Sequence, residues 1–238
     1  PLETPEVMSG EVDAPGLGGA NLHASRSGIA CLVADDEDDA CAIAADLLSF
    51  LPDHNDAAPP FEETADPSDR LTEDLESIVP DNPNKPYDMV KVIETVVDDG
   101  RFVQLFDASA ENIIIGFARL GGRSVGVIAN QPQVLAGCLD IDASIKAARF
   151  IRTCDAFNLP LLTVEDVPGF LPGVVQEWGG IIRHGAKLLY ACAEATVPKM
   201  TLVTRKAYGG AYLAMSCKHL ASDYNVAWPT AELAVMGA

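Results

Sequence analysis

The sequence predicts an α/β fold, and three observations predict it. Short apolar, β-branched runs at Ile113–Leu120, Ser124–Ala129, Pro160–Val164 and Met200–Thr204 have the length and composition of strands. Between them lie segments with helical periodicity; in Asp142–Phe157 the residues Ala147, Phe150, Ile151 and Cys154 share one side. Glycine turns recur where strands hand over to helices, and in α/β folds ligands sit at such places.

Taken in order, Pro15–Gly28 is rich in Gly and Ser and reads as loop; it lacks the strand and acidic partner of a dinucleotide site. Asp35–Asp39 opens a helix, since acids are favoured at a helix N-terminus. Ala40, Ile43, Ala44, Leu47, Leu48 and Leu51 give it one apolar face, and Pro52 ends it. Asp53–Pro86 is a polar, proline-punctuated connector with little periodicity, and a domain boundary is expected there, at 72/73. Tyr87–Asp99 is a helix with Met89, Ile93, Val96 and Val97 on one face and Gly100 as its stop. Gly121-Gly122-Arg123 joins the first two strands as a hairpin, and Asn130–Gly137 is a loop. The strand ending at Val164 runs into Asp166–Gly173, stiffened by two prolines. Val174–Ala195 is helical but holds Gly179, Gly180 and Gly185, each costing about 1 kcal/mol against Ala. They imply either close packing of another backbone or a true helix start near Gly179. Leu220–Trp228 and Ala231–Met236 continue the strand-and-turn pattern.

Charge and cysteine usage narrow the function classes. The first 100 residues carry 24 of the 35 acids and only 4 of the 16 bases, a surface that repels nucleic acid. No window has the unbroken apolar length of a membrane span. The six cysteines are dispersed without CxxC spacing and do not cluster with the four histidines, which fits buried free thiols in a reducing compartment rather than zinc or disulfides. No metal is therefore expected in this chain.

Side-chain catalysts are scarce. No serine sits in a GxSxG elbow, and neither His184 nor His219 has an acid at triad or metal spacing, so both read as structural or surface. Glu165 and Asp166 end a strand and could supply a general base; a following Pro-Gly turn wants acceptors, so they read instead as loop caps. What remains is backbone. Met200–Thr204 feeds Gly209-Gly210, then a helix start at Ala211, and the first amides of a helix point outward unpaired. Such a turn either stabilises a developing oxyanion, as thioester chemistry needs, or is a tight strand-to-helix connection.

Eight segments then make the sequence recognisable: Asn130–Pro132 (NQP), Gly137–Asp140 (GCLD), Asp155–Phe157, Asp166–Gly173 (DVPGFLPG), Gly180–Lys187 (GIIRHGAK), Glu194–Pro198 (EATVP), Arg205–Tyr212 (RKAYGGAY) and Trp228–Gly237 (WPTAELAVMG). Upstream, Leu17–Ala20, His23, Ser27-Gly28 and Asp66–Arg70 (DPSDR) continue them. The chain resembles, along its whole length, the carboxyltransferase (β) subunits of biotin-dependent acyl-CoA carboxylases, propionyl-CoA carboxylases above all.

That resemblance implies tandem carboxyltransferase domains of the crotonase-like ββα superhelix. Residues 1–72 would be the tail of the acyl-CoA-binding N-terminal domain, and 73–238 most of the biotin-side C-terminal domain. Because the chain starts at Pro1 and ends on the apolar run Leu233–Met236, it is expected to be an internal piece of a longer protein, inactive and unstable alone. The family's acyl-CoA oxyanion hole would lie before Pro1. The amides of Gly210 and Ala211 would form the biotin-side oxyanion hole, with Gly209, Leu213, Gly169 and Phe170 lining the substrate site. Carboxybiotin, carried by a domain of a separate biotin carboxylase/carrier α subunit, would release CO2 in place; its freed nitrogen would take the α-proton of a short acyl-CoA, and the enolate would capture the CO2. A hexamer of β subunits in the cytoplasm, or in the mitochondrial matrix of a eukaryote, is implied. The related subunits of methylmalonyl-CoA decarboxylases and transcarboxylases share these motifs, and a non-catalytic assembly subunit is a third alternative, which an intact Gly209–Ala211 turn opposes. Two positions depart from the family pattern. Leu213 stands where propionyl-CoA carboxylases carry Asp, and Trp178 replaces a smaller aromatic or polar residue.

Overall fold

The computed structural model describes residues 14–67, 69–72 and 74–237. The start of the expected N-terminal unit (residues 1–13), Ser68 of the DPSDR motif and Glu73 lie outside them.

Two short helices, α1 (Ala14–Gly18) and α2 (Ala20–Ser25), occupy the stretch expected to be loop. The glycines misled there: Gly19 is only the extended cap before α2, and Ala20, Leu22 and Ala24 carry the helix past it. Helix α3 (Glu37–Leu48) starts at Asp36, whose carboxylate accepts the Asp39 N–H. Its apolar face is only half-buried: Leu47 and Leu51 touch the core while Leu48 is exposed. The connector that follows holds one short helix, α4 (Leu75–Ile78). Helix α5 (Met89–Val96) is capped by Asp88 and is shorter than expected, a separate 3-10 turn taking Asp98–Gly100. It buries Met89, Val92 and Ile93.

A seven-stranded sheet forms the centre. Strands β1 (Phe102–Leu105), β2 (Ile113–Leu120) and β3 (Arg123–Asn130) pair antiparallel. The β2–β3 hairpin is the expected one, with Leu120 opposite Arg123 and both Gly121 and Gly122 at positive φ. Strand β1 has four residues and no clear alternation, and was not anticipated. Strands β4 (Leu161–Val167), β5 (Lys199–Tyr208) and β6 (Tyr224–Ala227) continue the sheet in parallel from β3, and β7 (Glu232–Ala234) pairs with the far end of β5. Parallel neighbours require crossovers, here α6 (Ile141–Ala156), then α7 (Val174–Gly179) with α8 (Ile181–Glu194), then α9 (Gly209–Ala214). Of the two readings of the glycine-bearing stretch, the helix start is the one observed: Gly180, in a left-handed conformation, divides α7 from α8, while Gly185 and Gly179 lie against side chains, the Phe170 ring and Ile141, rather than another backbone.

Both faces of the sheet are covered, so β2 and β4 are buried almost throughout; β2 reads as a nearly continuous apolar run, while β4 also buries Thr163, Glu165 and Asp166. On one face α6, α8 and α9 bury Ile113, Ile115, Ile128, Leu139, Ile151, Leu188 and Met215; Phe50 reaches in from the N-terminal stretch and stacks on Phe117. On the other, α5 packs on Ile114, Val127, Leu162 and Val164. The irregular segment before β2 is tied down by Lys146 of α6. Its ammonium donates to the carbonyls of Phe106, Ser109, Ala110 and Ile113, and burial pushes its pKa down to about 8.

Candidate active site

Strand β5 delivers the site. Opposite β4 it bulges: Glu165 pairs with Val203 but Val167 with Ala207, so Asp166 alone faces Thr204–Lys206. The extra residues bend the strand end, and a buried ion pair holds the bend. Arg205 Nε donates to Asp166 Oδ2 at 2.9 Å, and the Lys206 N–H to Oδ1 at 3.1 Å. Arg205 Nη1 reaches the carbonyls of Asn82 and Lys85, and its guanidinium lies 4.8 Å from the centre of the Tyr87 ring. The Thr204 hydroxyl donates to the Glu165 carbonyl and meets Tyr87 Oη at 2.9 Å.

Beyond the bulge the chain turns from β5 into α9. Gly209 makes that turn with φ +59°, and a Cβ there would lie 2.8 Å from the Val235 carbonyl oxygen, so only glycine fits. Gly210 differs: its φ is ordinary, and a Cβ would find nothing nearer than the Phe170 ring edge at 4.0 Å. The amides of Gly210 and Ala211 begin the helix and therefore have no intrahelical acceptor. Among the described residues no other carbonyl or side chain accepts from them. Gly210 is exposed and Ala211 buried, so there is open space beside the first residue of the pair, with the Phe170 ring edge at its far side. Tyr208, just before the turn, is hydrogen-bonded to Glu232; that bond, with burial, pushes its phenol up to about 12.

Phe170 is packed between α8 and α9: its ring touches both Gly185 and the front of Gly210. Its backbone is fixed to Leu139, whose N–H donates to the Gly169 carbonyl at 3.1 Å while its carbonyl accepts the Leu171 N–H at 2.8 Å. Of the residues named for the site, Phe170 lies nearest the Gly210 side of the turn, Gly169 precedes it in the chain, and Gly209 and Ala211 flank Gly210. Leu213 stands on the same short helix, 38% exposed.

The two acids at the end of β4 are not loop caps. Both lie inside the strand, buried, and point to opposite faces of the sheet. Asp166 is consumed by Arg205 and the Lys206 amide. Glu165 has no hydrogen-bond partner on either oxygen. Burial, and then the charge of Asp166, pushes its pKa well above the usual carboxylate range. It is sealed beneath the sheet rather than open to a substrate, so it does not serve as the base. His184 sits beside Arg183 and Lys187, and among the described residues no carboxylate is hydrogen-bonded to its ring, Asp142 acting on it only through its charge. Among the described residues no cluster of His, Cys, Asp or Glu could hold a metal ion. What the site offers chemically is a pair of positioned backbone donors.

The sequence reading named Arg205 and Asn130 only within motifs, and passed over Asn112. A charged residue inside the apolar run of β5 was the available sign for the first. The asparagines had none, because their partners come from other elements.

Comparison with known proteins agrees with this geometry. The model of the carboxyl transferase domain family matches residues 4–238. The chain is 57% identical to the propionyl-CoA carboxylase beta chain of Roseobacter denitrificans over 98% of its length, and 56% identical to the methylmalonyl-CoA decarboxylase subunit alpha of Veillonella parvula over all of it. These matches cover 46% and 47% of those proteins, so the chain spans about half the length of the curated relatives it matches. Among solved structures, transcarboxylase 12S, a hexamer, superimposes with a TM-score of 0.94 at 53% identity, covering 98% of this chain and 45% of that one. Its crotonase-like fold is the one implied by the motifs. Shared motifs, a shared fold and a family model spanning nearly every residue show that this chain belongs to the carboxyl transferase domain family.

Proposed function

We propose that the full-length protein is the carboxyltransferase subunit of a biotin-dependent acyl-CoA carboxylase and that this chain carries its biotin side. The supporting observation is the turn itself: the Gly210 and Ala211 amides begin α9 with no acceptor among the described residues, and a Cβ at Gly210 would meet nothing nearer than the Phe170 ring edge at 4.0 Å. The head group of carrier-bound biotin fits there in kind: it is uncharged, it carries a ureido carbonyl that takes two donors, and its ureido ring is planar and suits contact with an aromatic side chain such as Phe170.

When bound, carboxybiotin supplies the CO2 that is transferred to the α-carbon of a short acyl-CoA. The residues of this chain do the rest by position. The two amides of Gly210 and Ala211 hold the ureido oxygen and are aimed before reaction, so they stabilise negative charge there without reorganising. Phe170 and the Gly169 backbone exclude water from that face. Gly209 lets the turn form, and the Arg205–Asp166 pair fixes the strand that delivers it. No side chain here is asked to move a proton. The acyl-CoA side belongs to the N-terminal domain, of which we assign residues 1–72 as the end, with 73–238 as the C-terminal domain. The partners under this reading are a separate biotin carboxylase/biotin carrier α subunit and further copies of the β subunit in a hexamer. Among the described residues no helix is long and apolar enough to cross a membrane.

The test is the full-length protein supplied with a carboxylated biotin donor and propionyl-CoA, with methylmalonyl-CoA followed by mass spectrometry. Product formation dependent on donor supports the reading; no transfer to any short acyl-CoA overturns it. The identity shared with a methylmalonyl-CoA decarboxylase subunit supports a second reading, the same half-reaction run in the direction of CO2 release. Release of CO2 from methylmalonyl-CoA with a membrane partner, and no carboxylation with an ATP-dependent one, would select it.

Leu213 bears on the acyl chain. It stands two residues after Ala211 on α9, with part of its side chain open. An Asp there would carry a charge that needs partners once an acyl chain covers it. Leu presents apolar surface instead, and each methylene buried against it is worth about 0.8 kcal/mol. The enzyme is expected to accept acetyl-CoA and butyryl-CoA alongside propionyl-CoA, and Leu213→Asp to narrow that range. One methylene discriminates by only about 10–200-fold. kcat/KM for the three substrates in both proteins decides: strict propionyl-CoA preference, unchanged by the substitution, would show that position 213 does not set chain length.

A further inference from the structure

Two of the recognisable motifs, NQP at 130–132 and GCLD at 137–140, have no part in the chemistry above, yet they bracket the most strained backbone near the site. Leu135, Ala136 and Gly137 follow one another in the left-handed region, with φ of 49°, 54° and 78°. Left-handed geometry at consecutive residues, two of them not glycine, persists only where the surroundings over-determine it. Two buried asparagines supply that constraint. Asn130, fully buried at the end of β3, donates from Nδ2 to the Gly137 carbonyl at 3.1 Å and accepts the Asp166 N–H on Oδ1 at 3.2 Å. Asn112, 2% exposed, donates from Nδ2 to the Cys138 carbonyl at 2.8 Å and to Asp140 Oδ1 at 3.1 Å, and its own carbonyl takes the Gln131 N–H. The segment 131–140 is thereby a strap tied at both ends, to β4 on one side and to the N-terminus of α6 on the other. Leu139 lies between the ties with no surface exposed, and it holds the loop that carries Phe170 through hydrogen bonds to Gly169 and Leu171.

We propose that Asn130 and Asn112 are positioning residues: through the strap they hold, they fix Phe170 and so set the width of the opening in front of the Gly210 and Ala211 amides. The effect is geometric. Without either tie the left-handed turn can relax, Leu139 shifts, and the Phe170 ring leaves the place from which it orients the biotin donor. This proposal rests on the biotin-side reading of that opening.

The test uses the full-length protein with its biotin-bearing partner and the variants Asn130→Ser, Asn112→Ser and Phe170→Ala. Val92→Ala, which removes core packing on the other face of the sheet, controls for stability alone. Misplacement by about 1 Å can cost on the order of 100-fold in rate, so kcat/KM for the carboxylated biotin donor should fall by about 10–100-fold in each asparagine variant. KM for acyl-CoA should hold, and Val92→Ala should keep its activity despite a comparable loss in Tm. Adding Asn130→Ser to Phe170→Ala should cause little further loss, because both act through one ring. Asn112→Ser breaks only the outer tie and keeps the test decisive if Asn130→Ser does not fold. Donor kcat/KM within about threefold of wild type in a folded asparagine variant, or full additivity with Phe170→Ala, overturns the proposal. If instead Gly210→Val keeps its activity, it is the biotin-side reading that fails.

Discussion

Gly210→Val in the full-length protein is expected to lower carboxyl transfer by about 10²–10³ while leaving the fold intact, the cost of losing one aimed oxyanion donor being about 2.7–4 kcal/mol. The fold survives because the protein does not need glycine there. The backbone angle is ordinary, and a Cβ at this position would meet no protein atom inside 4.0 Å. The branch would stand instead in the opening where the ligand must come close to the amide. Gly209 one residue earlier is the contrasting case: a side chain there meets a left-handed backbone and the Val235 carbonyl at once. Gly209→Ala should therefore lose stability and activity together, whereas Gly210→Val loses activity alone. Transfer rates with a carboxylated biotin donor, set beside thermal midpoints for both variants, separate the two. A Gly210→Val rate within about threefold of wild type would place the chemistry elsewhere.

That contrast also marks how far the sequence could be read. The pattern strand, glycine pair, helix announced the turn, because a glycine pair after a β-branched run has few uses. It could not say which glycine serves the backbone and which serves the ligand; that depends on Val235 and Phe170, 26 and 40 residues away in the chain. The hairpin at Gly121-Gly122 and the inward face of α6 were legible because both follow from local periodicity. The helices at Ala14–Ser25 were not, since glycine content argued for loop and nothing local countered it. The acids of β4 were misjudged for a related reason. A Pro-Gly turn beside Glu165 and Asp166 suggests local capping, but the bulge in β5 brings Arg205 across to Asp166 from another strand. Glu165, left without a partner, is kept buried by packing alone.

Under the proposed biotin-side reading, the turn needs no side chain that moves a proton. Backbone amides need no tuned pKa, only placement, and here placement is bought with buried polar structure: the bulge, the ion pair and the two asparagines. Such devices raise the stakes of each polar group, because a buried donor or acceptor stripped of its partner costs more than the bond itself contributed.

Arg205 is where that cost is highest. Its guanidinium is nearly enclosed, and Asp166 beneath it is 1% exposed. Arg205→Met would keep the volume and the contact with the Tyr87 ring but leave the carboxylate buried without its cation, beside the Lys206 N–H and the Tyr87 hydroxyl. Removing one partner of a buried pair typically costs about 3–5 kcal/mol, whereas replacing both by apolar groups is often close to neutral. Arg205→Met is thus expected to lower stability by about 3–5 kcal/mol, which in a domain of this size is on the order of 10 °C in Tm. Asp166→Leu combined with Arg205→Met should recover most of that loss. The carbonyls of Asn82 and Lys85, freed in both cases, set the part that does not return. Urea denaturation of wild type, both single variants and the double variant closes the cycle. A single Arg205→Met variant within about 1 kcal/mol of wild type, or a double variant as weak as the sum of the singles, would show that the pair does not hold the strand that carries the site.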